Sequence, residues 1–410
     1  MIAGRITARG GVQLSLLVLF GVWGPDEFGG LVTATGTFTW LYHAIAGAEK
    51  AALTTLPRTR VLTGWYTRML LARAAAPMAV AVPVALLLMP VGGPAALYGA
   101  AAANIAAQGL LGFLAALQRL GGHPGRDTVA YCAYAGWVVV VSALTVAGVF
   151  GPRDYLLALT AGLLVVCACL ARFVPALRHG PVRRVGGRTG RLVSRRMVLL
   201  GLSDVGDSAA ISSVYIGLAL FARPAEAAIV YLAVLASTVC GSVCVLVLRL
   251  AQPVTSLRLR GSGGQRGRRR ARLIADRTAA VAGGLVVVAA IGTLAGGRDA
   301  VVAIGASPVA LGAVTAVEIA VFCGLAYAVY LLENTNGAVL RVTATAATAG
   351  LAATAVAVAV IVPVLHAVGA MAALVVGLAA KAAWLSTRLR VTMPAAPPRT
   401  AQPARRLPRP

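Results

Sequence analysis

Apolar residues come in blocks of about twenty along the chain, separated by short polar or basic stretches. Twelve blocks stand out: 5–23, 28–49, 69–90, 94–117, 129–150, 154–174, 197–221, 225–251, 278–296, 301–332, 342–365 and 367–386. Each approaches the ~20 residues a helix needs to cross a hydrocarbon core about 30 Å thick. None shows the alternating ten-residue pattern of a membrane barrel strand. The pattern predicts an all-α polytopic membrane protein with about twelve transmembrane helices.

Composition agrees, with 59% hydrophobic and 12% charged residues in a chain of 410. A soluble domain carries about twice that charge fraction. The net charge of +25 would suit a nucleic-acid partner, but its placement gives another meaning. With the N-terminus in the cytoplasm, every Lys and Arg except Arg153, Arg223 and Arg298 falls in an inside segment. The positive-inside rule then sets both termini in the cytoplasm, and the basic loops meet anionic lipid headgroups rather than nucleic acid. Two lysines against thirty-five arginines suggest a G+C-rich genome and a bacterial plasma membrane. The six cysteines all sit within apolar blocks without histidines at metal spacing, so neither a disulfide framework, a metal nor a cofactor is expected. No A-x-A-like cleavage site follows "SLLVLFGVW", so the first helix is expected to stay.

Two basic, glycine-rich stretches, 178–196 and 258–277, read as inside loops. The first divides the chain into an N-terminal six-helix lobe (1–177), a basic cytoplasmic linker (178–196) and a C-terminal six-helix lobe (197–390). A Pro/Arg-rich tail (391–410) reads as disordered. The halves share a weak repeat. "GPDEFG" follows the first helix and "RPAEAA" the seventh; "LPRTR" ends the second and "QPVTS" the eighth; "VGG" ends the third and "AGG" the ninth. Lobes of six helices run the same way, giving a pseudo-twofold along the membrane normal.

These features resemble a known group. "FGVWGPDEFGGLVTATGTF" is similar to the first-helix exit and G-P-x-x-(F/Y)-G turn of the polysaccharide-exporter branch of the multidrug/oligosaccharidyl-lipid/polysaccharide (MOP) flippase superfamily. "HAVGAMAALVVG" resembles that branch's twelfth-helix turn, and "GAEKAALTTLPRTR" resembles a second-helix end. The resemblance implies a MATE-like fold in which helices 1, 2, 7 and 8 line a central cavity. It also implies alternating-access flipping of a polyprenyl-pyrophosphate sugar.

The candidate chemistry starts in "GLSDVGDSAAISSVYIGLAL" (201–220), where Asp204 and Asp207 sit three apart on one helical face. From a helix start near Met197 they lie about 10 and about 15 Å deep, where an ionised carboxylate costs roughly 2.5–3.5 kcal/mol. Two readings stand: a coupling site for H+ or Na+, or a structural pair. Arg9, Arg58 and Arg249 could grip a pyrophosphate bidentately, or serve as anchors that snorkel to headgroups. Glu49 and Lys50 are adjacent and so face different ways on a helix. With Glu318, which reads as an interhelical hydrogen-bonding residue, they are secondary cavity candidates.

No catalytic triad, phosphate loop or metal cluster is present. The reading is a non-enzymatic flippase for a lipid-linked saccharide. Its rivals are a proton- or cation-coupled multidrug antiporter on the same fold, and a membrane enzyme or scaffold of envelope assembly.

Overall fold

The structure, a computed structural model, describes residues 2–55, 63–174, 187–259, 262–333 and 339–392. These residues form helices joined by short turns, with no strand among them. In chain order the helices are α1 (Ile2–Thr37), α2 (Thr39–Thr55), α3 (Thr63–Leu88), α4 (Gly93–Leu120), α5 (Pro124–Val146) and α6 (Pro152–Ala171). They continue with α7 (Gly187–Phe221), α8 (Pro224–Arg258), α9 (Ser262–Gly305), α10 (Pro308–Glu333) and α11 (Val339–Thr392). Proline opens α5, α6, α8 and α10, where its missing N–H costs nothing and its fixed φ suits the first turn.

Nine described helices are long and apolar enough to cross a membrane, and two of these stretches run 44 and 51 residues (Gly10–Leu53 and Arg341–Val391). Straight, they would measure more than twice a ~30 Å core. Each is broken. Gly24 (φ 73°) interrupts α1 ahead of Pro25, and His366 (φ 46°) interrupts α11 three residues after Pro363. The α1 break folds the chain back, because the Phe20 and Phe28 rings stand 5.3 Å apart, whereas eight residues of straight helix span about 12 Å. In α11 a Cβ on Gly350 would lie 3.1 Å from the Gly377 carbonyl oxygen, so the two arms form an antiparallel hairpin. Counting each stretch as two passes and adding α9 gives the twelve passes of the apolar pattern.

A second irregularity, at Phe38, separates α1 from α2. The run "TATGTFT" supplies Thr33, Thr35, Thr37 and Thr39, whose hydroxyls donate to the carbonyls of Gly29, Leu31, Thr33 and Thr35. Such back-bonding competes with the helical ladder and bends helices.

The helices sort into two lobes. In the first, α4 is the hub, packed by α2, α3 and α6 and buried along its length by small residues such as Ala100, Ala103, Ala107 and Gly109. In the second, α11 is the hub, packed by α7, α9 and α10. Small residues let backbones approach closely where lipid gives no hydrophobic drive between helices. Both basic stretches expected as loops are partly helical, since α7 begins at Gly187 and α9 at Ser262. In α9, Gly264, Gly267, Ala271 and Ala275 are buried at helical spacing, a packing stripe that a composition-based reading takes for a flexible loop. The tail beyond Thr392 lies outside the described residues.

Candidate functional site

The lobes meet along a seam in which α1 and α2 run antiparallel to α7 and the start of α8. Glycines make the approach possible at three levels. A Cβ on Gly29 would collide with the Pro224 carbonyl oxygen, one on Gly36 would run into the Tyr215 ring, and one on Gly47 would lie 2.9 Å from the Gly201 Cα. Midway, the Ser212 hydroxyl donates to the Gly36 carbonyl at 2.9 Å. At the Gly29 end the closure is broad. The Tyr231 hydroxyl donates to Gln13 Oε1 at 2.6 Å, and Phe28, fully buried, packs edge-on against Tyr231 and Phe20.

The Gly47 end of the seam is where charge collects. Lys50 Nζ, from the first lobe, reaches Asp204 Oδ1 of the second at 2.9 Å and Glu333 Oε1 at 3.8 Å. Beside them, Lys381 Nζ donates to both carboxylate oxygens of Asp207 at 2.7 Å. The two pairs differ in exposure. Lys50, Asp204 and Glu333 side chains are 27–30% accessible. Asp207 is 37% accessible, but Lys381 only 5%. Asp207 therefore faces open space with a buried ammonium behind it, while Lys50 itself can be reached. The cluster holds three carboxylates and two ammoniums, a formal charge of −1.

A neighbouring network lies wholly within the first lobe. Arg119, at the end of α4, joins Glu49 at 2.8 Å and the fully buried Asp127 at 3.2 Å. Glu49 and Lys50 thus point to different lobes, as adjacent helical positions must.

The sequence-derived candidates fare unevenly. Asp204, Asp207 and Lys50 come together, and Glu49 joins the adjoining network. Asp207 lies 10 residues from Met197 and 14 from Phe221, the ends of this apolar span, about 15 Å and about 21 Å along α7. Ser203 and Ser208, next to the aspartates in sequence, are buried, and the Ser208 hydroxyl turns back to the Asp204 carbonyl at 2.7 Å. Glu318 is buried in α10 against Ser237, about 22 Å along the helix from Glu333. Arg58 lies outside the described residues. Arg9 and Arg249 belong to α1 and α8, but their side chains are not among those described, so the structure leaves the arginine grip where the sequence put it.

Sequence reasoning missed Glu333, Arg119, Asp127 and Lys381. Lys381 had been grouped with the basic inside segments. A usable signal was present: Lys50 and Lys381 are the chain's only lysines among thirty-five arginines, and both lie in this cluster.

No family model matches the chain, and no curated protein matches it by sequence. Solved structures do match in fold. The chain is similar to a lipid II flippase MurJ in an inward closed conformation, with TM-score 0.60 and 8% identity, covering 95% of this chain and 87% of that one. It is similar to a multidrug resistance MATE family transporter of the MOP superfamily in an inward-facing conformation, with TM-score 0.58 and 13% identity over 95% and 93%. It is also similar to a MATE protein in a bent conformation, with TM-score 0.52 and 12% identity over 95% and 92%. The chain has the fold of MATE and MurJ transporters.

Proposed function

With that fold as the premise, we propose that the protein is an alternating-access transporter, not an enzyme, that flips a lipid-linked saccharide across a bacterial plasma membrane. In this reading both termini are cytoplasmic, as the inside concentration of arginine favours. The charged end of the seam faces the cytoplasm and the Gly29–Pro224 end faces out.

The observation that carries the reading is the placement of the two lysines. Arginine stays protonated and binds in a fixed planar fork, whereas lysine is a compact charge on a flexible stem that swaps partners readily. Lys50 is accessible and already bound to a carboxylate of the opposite lobe. A cargo pyrophosphate can take Asp204's place on its ammonium without leaving either group buried and bare. Asp204, once released, is free to accept a proton or cation, which couples an anionic cargo to a cation. Asp207, exposed in front of the buried Lys381, is the second cation-accepting carboxylate. Lys381 limits how negative that face becomes.

The test is flipping of a fluorescent polyprenyl-pyrophosphate saccharide in proteoliposomes. Loss of one charge-assisted bond, worth roughly 1.5–3 kcal/mol, weakens binding about tenfold to a hundredfold. Lys50→Gln is expected to slow flipping by that range at limiting cargo, with Lys50→Arg closer to wild type. Normal flipping by Lys50→Gln would remove this residue from cargo binding.

A second reading has its own support, since carboxylates outnumber ammoniums in the cluster. A cation-coupled multidrug antiporter would meet a net negative face here. In that case Lys50→Gln leaves uptake of an organic cation unchanged or raises it.

A further inference from the structure

Helix α9 carries two kinds of exposed surface on a single stripe. At 100° per residue, Arg266, Arg269, Arg270, Leu273, Arg277, Val281, Val288 and Ile291 fall within about 60° of one line. All are exposed. On the opposite face, Gly264, Gly267, Ala271, Ala275 and Ala282 are buried against α10 and α11. Apart from Leu273, the outward stripe is basic up to Arg277, and it is apolar from Val281 onward, where Val281 is 58% exposed, Val288 67% and Ile291 60%.

A change from guanidinium to aliphatic surface within one helical turn marks where the hydrocarbon begins. Aromatic rings gather just outside that boundary. The Arg270 guanidinium lies 5.6 Å from the Tyr327 ring centroid, and that of Arg388 lies 4.8 Å from the centroid of Trp384. Tyr and Trp favour the headgroup level.

We propose that the basic stripe of α9, centred on Arg277 with Arg269 and Arg270, is a docking surface for anionic phospholipid headgroups. The occupant follows from continuity. Acyl chains cover Val281 to Ile291, so the groups directly above them are headgroups, and three guanidiniums select the phosphate-bearing anionic ones. The position of each arginine sets its share. Arg277 lies at the boundary. Arg269 and Arg270 stand about 10–12 Å further along the axis, within reach of a long side chain that snorkels back. Arg266 is about 16 Å away, two Debye lengths at physiological salt, and contributes little.

The test uses the full chain in nanodiscs of zwitterionic phosphatidylcholine. Each disc carries a trace of photo-crosslinking phosphatidylglycerol or, in parallel, photo-crosslinking phosphatidylcholine. The anionic probe is expected to label the 266–281 region in clear excess. Arg277→Gln should lower that excess about fivefold, the Arg269→Gln/Arg270→Gln pair should lower it similarly, and Arg266→Gln should change it less than twofold. Arg277→Lys, which keeps the charge, should preserve it, and circular dichroism of each variant checks the fold.

Equal labelling by both probes overturns the proposal, as does an excess that survives the glutamine variants. Loss of the excess in Arg277→Lys would assign the guanidinium a structural role instead. Inorganic phosphate competing better than chloride at matched ionic strength would identify a free-phosphate site, and the lipid assignment would fall.

Discussion

Removing either partner of the Asp207–Lys381 pair should destabilise the protein, but not equally. Asp207→Asn leaves an ammonium that is 5% accessible without its counter-ion, while Lys381→Met leaves a carboxylate that is 37% accessible. Stranding a buried charge costs about 3–5 kcal/mol. The partial exposure of Asp207 lets water solvate part of the pair, so about 3 kcal/mol is the better figure for Asp207→Asn. In Lys381→Met the remaining carboxylate is hydrated where it stands, and about 1 kcal/mol is expected. For a lobe of this size, 1 kcal/mol moves Tm by about 2–4 °C. Asp207→Asn should therefore lose about 6–12 °C and Lys381→Met about 2–4 °C. The double variant should recover most of the loss, because it removes both charges together. Thermal unfolding in detergent at fixed salt reads all three. A Lys381→Met loss equal to or above that of Asp207→Asn refutes the exposure reasoning, and additive losses in the double variant refute the pairing itself.

Two further outcomes are expected. Gly29→Ala places a methyl against the Pro224 carbonyl oxygen, so the lobes must part at that end or the protein must absorb roughly 1–3 kcal/mol of overpacking. A single cysteine at Phe28, which is fully buried against Tyr231 of the other lobe, in a background without the native cysteines, should then react faster with a thiol reagent; unchanged reactivity and unchanged stability would refute the contact. At Asp276, just outside the apolar part of α9, burial pushes the carboxyl up, but hydrogen bonds from Ser386 and Arg390 and the charges of Arg390 and Arg272 outweigh it and hold it below the ordinary value. The unfolded chain therefore binds more protons there, so this group's stabilisation is present above about pH 4 and is lost as pH falls through the native value. Tm should drop more between pH 5 and pH 3 in wild type than in Asp276→Asn, and parallel profiles would remove the group from the acid response.

The apolar pattern made the number of passes legible because hydrocarbon permits little else: twenty apolar residues are a helix that crosses. It also placed both breaks, because the "GPDEFG" turn begins at Gly24 and "HAVG" begins at His366; what it could not show is that the helix runs up to each break and resumes directly after it. The glycine-rich basic stretch before Thr278 misled for a related reason. Its composition is that of a loop, and only the partners of α9 turn Gly264, Gly267 and Ala271 into a packing stripe. At the site, the two aspartates were visible because charge inside an apolar block is rare. Their lysines were hidden by the same positive-inside rule that sets the expected orientation, as a basic residue near a helix end is ordinarily a topology anchor. Only the scarcity of lysine distinguished Lys50 and Lys381, and scarcity does not name a partner.

The two lysine pairs differ in what separating them would require, and that difference matches the motion a two-lobed transporter needs. Lys381 and Asp207 belong to α11 and α7 of one lobe, so rocking of the lobes leaves the pair intact. Lys50 and Asp204 sit on opposite lobes and are each more than a quarter accessible, the regime in which an ion pair contributes about 0–1 kcal/mol. Next to them the seam is glycine on glycine, at Gly47 and Gly201, which gives close contact but little apolar area to lose on separation. A seam built this way holds its end shut weakly, so a ligand that competes for Lys50 has little to overcome. The opposite end is held by Phe28 packed on Tyr231 and by the Tyr231–Gln13 hydrogen bond, and gives up more buried apolar surface on opening. Under the proposed reading, the resting protein is therefore biased toward opening at the charged end, where an anionic headgroup would enter.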